Sequence, residues 1–271
     1  IQEKIMNKLY GVGVGPGDPE LMTIKALNAI KKSKTICYPG KSDDTSIAFN
    51  IVRQVVPEID EKVKVCIDFP MTKDPFILEE AHSKITNDIK ELLKEGDVAL
   101  LTLGDPGVYA TYSYIAQRLK AEGIEVITIP GITSFSAAAA ALGIPLTLAD
   151  EELHVIPSSY SFEEAFRLKG TLVFMKSGRS YEKLASYIKK EKFDYDIYMV
   201  ENCGMTNERL FVGAKNPGYR YDGQSKIPVG PKFHRPPQCC RCQRGRFFRF
   251  SSHIFYHSSF SNGRCLGLCV N

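Results

Sequence analysis

Leu9-Tyr-Gly-Val-Gly-Val-Gly-Pro-Gly-Asp18 is the stretch on which the reading of the fold turns. An apolar run rises into glycines at alternate positions, Gly11, Gly13, Gly15 and Gly17, and breaks at Pro16 and Asp18. A helical pattern starts at Thr23. Such a pattern describes a buried first strand feeding a turn at the carboxyl edge of a sheet, where open α/β sheets bind ligands. Glycines there let the main chain approach a ligand, or another main chain, without interference from Cβ. A tight packed turn and a binding loop both fit. The spacing is not a dinucleotide fingerprint. After Gly13-x-Gly15 the third glycine position holds Asp18, and after Gly11-x-Gly13 it holds Pro16.

Downstream of this stretch, strand and helix patterns alternate. Strands are expected at 8–14, 35–38, 63–68, 98–103 and 125–129, and helices at 23–32, 46–56, 75–94 and 109–122. This alternation implies a mostly parallel sheet with right-handed crossovers. Pro130-Gly-Ile-Thr-Ser134 opens an alanine-rich helix to Leu142, and a domain hinge is read at 129–133. The alternation then restarts, with strands at 154–156, 171–175, 197–201 and 209–212 and helices at 162–168 and 181–190. Gly40-Lys41-Ser42 is not a phosphate loop, because the glycine required five residues earlier is Thr35.

The 271 residues, 44% of them hydrophobic, suffice for a substantial core in one or two domains. No apolar run approaches the ~20 residues that span a bilayer. The N-terminus lacks the segments of a secretory signal, and Met6-Asn-Lys-Leu-Tyr10 reads as a natural start. A cytoplasmic protein is expected. Net charge is +4, unevenly distributed: residues 1–216 carry 26 Lys and Arg against 30 Asp and Glu, and residues 217–271 carry 9 against 1. Cys37, Cys66 and Cys203 are scattered as in a reducing compartment, and the other five cysteines lie between Cys239 and Cys269.

Five loops fall at the carboxyl ends of expected strands: Gly11–Asp18, Gly104–Gly107, Pro130–Ser134, Lys176–Arg179 and Asn202–Gly204. Loops from two half-domains suggest a cleft between them. Acid–base groups are scarce there. His154 is the only histidine near any of these loops and reads as a core or rim imidazole. Asp18 and Asp105 each follow a glycine, where aspartate stabilises turns. No nucleophile–histidine pair or metal-ligand cluster is evident in the body, and no residue is singled out as catalytic. Such an inventory suits an enzyme that positions its reactants through backbone and shape.

Gly13-Val-Gly-Pro-Gly-Asp18, Gly104-Asp105-Pro106 and Pro130-Gly-Ile-Thr-Ser134 together resemble the tetrapyrrole methylase family. Phe69-Pro-Met-Thr72, Leu103-Gly-Asp-Pro-Gly-Val-Tyr109 and Glu201-Asn-Cys-Gly-Met205 resemble the branch that methylates C-20 of precorrin-2 or cobalt-precorrin-2 in cobalamin biosynthesis. The match covers residues 7–213. The resemblance implies two α/β domains with mostly parallel or mixed sheets, and S-adenosylmethionine in the cleft between them. It implies that Leu103, Gly104, Asp105, Val108 and Tyr109 hold the methionine end of that cofactor, that Thr133 and Ser134 line the cleft, and that Met175, Cys203 and Gly204 contact the adenosine. Gly15, Pro16, Gly17 and Asp18 would border the macrocycle trough, with Lys73, Lys176 and Arg179 as partners for the carboxylates of a tetrapyrrole substrate. A homodimer without membrane or nucleic-acid partners follows from the same resemblance.

The domains expected are 6–129 and 130–216, the second lacking its last strands, followed by an anomalous tail over 217–271. The tail is rich in Gly, Pro, Ser and Arg and shows no sustained helical or strand period, so it reads as sequence not selected to fold with the body, such as an out-of-frame reading. Two alternatives stay open. One is a zinc- or nucleic-acid-binding tail, from Cys239-x2-Cys242, His253-x3-His257 and Cys265-x3-Cys269. The other is a methylase of a different tetrapyrrole carbon or of the related diphthamide pathway.

Overall fold

In the computed structural model the described residues are 7–157, 159–177, 180–191, 195–213 and 264–270. The first unit runs β1 (Leu9–Gly13), α1 (Ile24–Lys32), β2 (Thr35–Pro39), α2 (Ile47–Arg53), β3 (Val63–Ile67), α3 (Pro75–Glu95), β4 (Val98–Thr102), α4 (Tyr112–Ala121) and β5 (Val126–Ile129). Its strands form one fully parallel sheet in the order β3-β2-β4-β1-β5. From β1 the chain winds outward through β2 to β3, and from β4 it winds the other way to β5. The winding direction therefore reverses between β1 and β4, which makes their carboxyl ends the topological switch point of the sheet.

The two windings cover opposite faces. Val12, Ile36 and Tyr38 pack with Ala26 and Ile30 of α1 and Phe49 and Val52 of α2, all buried. Leu9, Cys37 and Leu100 pack on the other face with Ile85, Ile89 and Leu93 of α3 and Ile115 and Leu119 of α4. Strands buried on both faces read as continuous apolar runs, as Val98–Leu101 does.

The second unit begins with α5 (Ser134–Leu142), followed by β6 (Leu153–Pro157), α6 (Phe162–Ala165), β7 (Thr171–Met175), α7 (Tyr181–Glu191), β8 (Tyr195–Glu201) and β9 (Arg209–Gly213). The sequence placed nothing of this sheet beyond residue 216. The structure instead seats β10 (Arg264–Val270) in its middle, in the order β6-β7-β10-β8-β9. β10 runs parallel to β7, with Leu268 opposite Phe174, and parallel to β8, with Leu268 opposite Met199. Among the described strands of this sheet, only β8 and β9 pair antiparallel. A central parallel strand is short and unalternating. Cys265–Val270 is such a run, and set in Arg- and Ser-rich sequence its periodicity does not separate it from a loop.

Helix ends also differ from expectation. The helix expected from Tyr109 starts at Tyr112, because Tyr109 takes a left-handed conformation (φ 49°) that no right-handed helix accommodates. α6 stops at Ala165 rather than Leu168. No described helix is long and apolar enough to cross a membrane.

Two predictions concern packing. Phe174 is fully buried between the rings of Phe162 and Phe166, at centroid distances of 5.7 and 5.9 Å. Phe174→Ala is expected to lower unfolding free energy by about 3–5 kcal/mol in a urea titration; a loss under ~1 kcal/mol would mean that this face is not packed as described. His82 of α3 is buried and stacked on Tyr114 of α4 at 5.0 Å. Burial, and then the Arg118 charge, push its pKa below the usual 6.5, with Glu79 opposing. A base depressed in the folded state is protonated first in the unfolded chain. Stability is therefore expected to fall as pH drops through about 6.5 and to level off below the folded-state value. His82→Phe should remove that part of the pH slope, and an unchanged slope would show that His82 is not its source.

Candidate functional site

The carboxyl ends of β1, β4 and β5 meet through backbone. Gly15 N–H donates to the Gly104 carbonyl at 3.3 Å and Gly104 N–H to the Gly15 carbonyl at 2.8 Å, an antiparallel bridge across the switch point. Both glycines are left-handed, at φ 78° and 73°. A methyl carbon added at Gly131 would lie 2.2 Å from the Gly104 carbonyl oxygen, and one at Gly13 would lie 2.6 Å from the Gly131 nitrogen. Three main chains therefore touch where no side chain fits. Asp105 fixes their geometry. One carboxylate oxygen accepts from Gly107 N–H at 2.7 Å and the other from Gly131 N–H at 2.9 Å, tying the β4 loop to the β5 loop.

Gly104 is itself buried, yet the position beside its Cα is unfilled. A methyl carbon on Gly104 would find only the Ile132 carbonyl within 4 Å, at 3.9 Å. Beside it stand half-buried Leu103 and Val108 and exposed Tyr109. On the β5 side Thr133 caps α5, its hydroxyl accepting from Ser136 N–H at 3.4 Å, and Ser134 is buried.

The second unit closes on these loops at two places. Tyr109 bridges to it through both ends. Its hydroxyl donates to the Val155 carbonyl of β6, and its own carbonyl accepts from Lys176 Nζ, each at 2.9 Å. Lys176 follows β7 in a left-handed conformation (φ 56°). Its side chain is exposed by surface area, yet its ammonium group lies among enough protein that burial lowers its pKa. Met175 before it is buried, and the hydroxyl of buried Ser177 after it has no hydrogen-bond partner among the described residues.

The other closure joins Gly17 to the turn after β8. Gly15, Pro16 and Gly17 are buried. A methyl carbon at Gly17 would lie 2.1 Å from the Cys203 carbonyl oxygen, and one at Gly204 would lie 2.5 Å from the Asp18 nitrogen. Asp18 spends its carboxylate on Glu20 N–H at 2.8 Å, capping a 3-10 turn. Cys203 is buried, and its thiol is pushed up to about 11, chiefly by burial and then by the Glu208 charge. Left-handed non-glycine residues are uncommon, and Tyr109, Lys176 and Asn202 all stand at these strand ends.

The residues expected at the site divide accordingly. Gly15, Pro16, Gly17, Asp18, Leu103, Gly104, Asp105, Val108, Tyr109, Thr133, Ser134, Met175, Lys176, Cys203 and Gly204 all lie at these strand ends, Met175 as the last residue of β7 and Ser134 as the first of α5. Lys73 does not join them: it is exposed in the loop after β3, the edge strand two positions from β4. Arg179 lies outside the described residues, as do Cys239, Cys242, His253 and His257 of the zinc reading. Cys265 and Cys269 fall within β10. Among the described residues no group of three or more His, Cys, Asp or Glu could hold a metal ion. His154 pins a strand end, its Nε2 facing Glu152 at 3.1 Å and the Lys169 carbonyl at 2.9 Å. Ser177 and Glu208 escaped the sequence reading, since a lone serine or glutamate outside a motif carries no local signal.

Two α/β units whose glycine loops interlock at a switch point define a two-unit α/β protein with a candidate ligand site at its strand ends. A family model described as Tetrapyrrole (Corrin/Porphyrin) Methylases matches residues 8–214, and the chain belongs to that family. A protein of Methanocaldococcus jannaschii described as a probable cobalt-precorrin-2 C(20)-methyltransferase is 39% identical over 212 residues, covering 78% of this chain and 89% of that one. A precorrin-2 C(20)-methyltransferase of Sinorhizobium sp is 30% identical over 219 residues, covering 74% and 88%. In three dimensions the chain shares the fold of a Thermus thermophilus uroporphyrin-III C-methyltransferase complexed with S-adenosyl homocysteine, at TM-score 0.57 and 24% identity over 77% of this chain and 89% of that one.

The loop junction rests on Asp105 and Gly131. Asp105→Ala leaves two backbone N–H groups without their carboxylate and is expected to cost about 1–2 kcal/mol of stability. Gly131→Ala cannot be accommodated without separating the β4 and β5 loops, and its unfolding midpoint should fall further. Equal midpoints for wild type and both variants in guanidinium would refute the junction.

Proposed function

We propose that this chain is an S-adenosylmethionine-dependent C-methyltransferase acting on C-20 of precorrin-2 or cobalt-precorrin-2 in cobalamin biosynthesis. The observation that carries the reading is resemblance along both units, from the glycine loop after β1 to the Asn202–Met205 turn, to proteins bearing that description. It is supported by a site made of backbone and poor in acid–base groups. When bound, S-adenosylmethionine supplies a methyl group already activated on a sulfonium. What remains for the chain is alignment and exclusion of water.

The open main chain at Gly104 fits such a cofactor. Leu103, Gly104, Asp105, Val108 and Tyr109 hold its methionine end, with Asp105 acting through the amides it orients. Thr133 and Ser134 line the cleft, and Met175, Cys203 and Gly204 meet the adenosine. Gly15–Asp18 borders the macrocycle. Lys176 presents its ammonium to the substrate carboxylates near the cleft, and the resemblance offers Lys73 and Arg179 as further partners for them. The functional units are 6–129 and the segment from 130 that contains the second sheet. The enzyme works in the cytoplasm as a homodimer, with no nucleic-acid partner.

Incubation with S-adenosylmethionine labelled in the methyl carbon, and with precorrin-2 with and without cobalt, is expected to give one new methyl at C-20, located by NMR of the product. Labelling at another carbon, or labelling of uroporphyrinogen III alone, would sink the assignment. Leu103→Ala should weaken S-adenosylhomocysteine binding about tenfold in calorimetry through lost apolar contact; unchanged binding would remove that residue from the cofactor site.

A further inference from the structure

Glu208 lies outside the motifs and outside the assigned loops, yet its carboxylate controls one of them. Its Oε2 accepts the Gly204 N–H at 2.7 Å in a half-buried setting. The Glu208 carboxylate also stands near enough to the Cys203 thiol for its charge to help raise the thiol's pKa. The turn it closes, Asn202–Met205, has two left-handed residues, Asn202 at φ 51° and Gly204 at φ 76°, and is closed further by Met205 N–H to the Asn202 carbonyl at 2.9 Å. Asparagine tolerates that region, but at a cost that surrounding interactions must offset. A carboxylate accepting a backbone N–H from within a turn is a strong, directional restraint.

This turn is the piece of the second unit that locks against the first loop. Gly17 meets the Cys203 carbonyl and Gly204 meets the Asp18 backbone, both too closely for a Cβ. Cys203 is further packed in one cluster with Val200, with Ala137 and Ala138 of α5, and with Leu21 of the 3-10 turn that follows the glycine loop. Gly15–Asp18 and Asn202–Met205 are thus one mechanical body, held main chain to main chain and shaped from behind by one carboxylate. A shift of the turn cannot leave the glycine loop in place, because packed backbone does not deform continuously.

We infer that Glu208 is a positioning residue that couples the two halves of the site, so that occupation of the cofactor side by way of Asn202–Met205 strengthens binding on the macrocycle side by way of Gly15–Asp18, and the reverse. This rests on the assignment of those loops under the proposed function. The coupling is reciprocal by linkage: whatever factor one ligand gains from the other, the other gains equally. Glu208 touches neither ligand in this scheme. Gly17→Ala probes the same coupling from the opposite side of the contact.

The test is calorimetry of S-adenosylhomocysteine, alone and with saturating cobalt-precorrin-2, on the full chain as wild type, Glu208→Ala, Glu208→Gln and Gly17→Ala. Wild type is expected to bind S-adenosylhomocysteine more tightly when the tetrapyrrole is present. Glu208→Ala should lose that enhancement and weaken binding of S-adenosylhomocysteine alone by about tenfold, the scale of one charge-assisted hydrogen bond. Glu208→Gln keeps an oxygen for the Gly204 N–H and should recover most of both. Gly17→Ala, whose added carbon meets the Cys203 carbonyl, should lose the enhancement and also weaken binding of S-adenosylhomocysteine alone. In steady state, KM for the tetrapyrrole should rise in Glu208→Ala more than kcat falls. Lower thermal stability with unchanged enhancement and KM would reduce Glu208 to a structural residue and overturn the inference. Absence of enhancement in wild type would also overturn it while leaving the methyltransferase reading intact. Failure of wild type to bind S-adenosylhomocysteine at all would instead refute that reading and, with it, the inference.

Discussion

The structure depends on one contact, the backbone bridge between Gly15 and Gly104 across the switch point of the first sheet. Two windings of the chain start on either side of it and cover opposite faces. Because the bridge is made of peptide groups, its position is set by the sheet register, which pairs Gly13 with Thr102. Because both glycines are left-handed, a side chain at either position would strain it. Asp105 then extends the rigid patch to Gly131, so three strand ends share one surface. A site built this way is preorganised by the fold itself and needs few side chains to hold it.

The second unit is fastened to that surface by contacts of two kinds. Tyr109 and Lys176 make a polar clasp with long reach, and each pays for it with a left-handed backbone. Gly17 and Gly204 make a contact with no reach at all, main chain against main chain. The clasp has room to lengthen, since both partners carry rotatable side chains. The glycine contact has none. That difference makes the glycine contact the fixed point between the units and the Tyr109 side the more adaptable one.

Much of this is legible in the sequence. The alternation of strand and helix over residues 8–142 placed every major element of the first sheet, because long apolar runs between glycine and proline stops are hard to read otherwise. Four of the five strand-end loops are also legible, since Gly-Asp, Pro-Gly and Asn-Cys-Gly punctuation marks them; the fifth, Lys176–Arg179, lies partly outside the described residues. Less legible were the roles of individual side chains. Asp105 appeared as a candidate cofactor contact, and its carboxylate proved to be engaged by two amides, one of them 26 positions away. Lys73 looked equivalent to Lys176, yet strand order puts it at the far edge of the sheet. Glu208 had no motif to announce it, because its work is done through the hydrogen bond of a turn.

The strand in the tail marks the limit most clearly. Cys265–Val270 is as apolar as other central strands, but six residues surrounded by arginine, serine and proline carry no period. Its place between β7 and β8 comes from long-range pairing alone. By itself the sequence determined the elements, the loops at their carboxyl ends and the family to which the chain belongs. These follow from local rules, hydrophobic period and the backbone freedom of glycine. Tertiary structure alone decided the strand order, the sheet-edge position of each charge and which glycines face another backbone. Those depend on residues far apart in the chain arriving within a hydrogen bond of each other, and no local pattern encodes that.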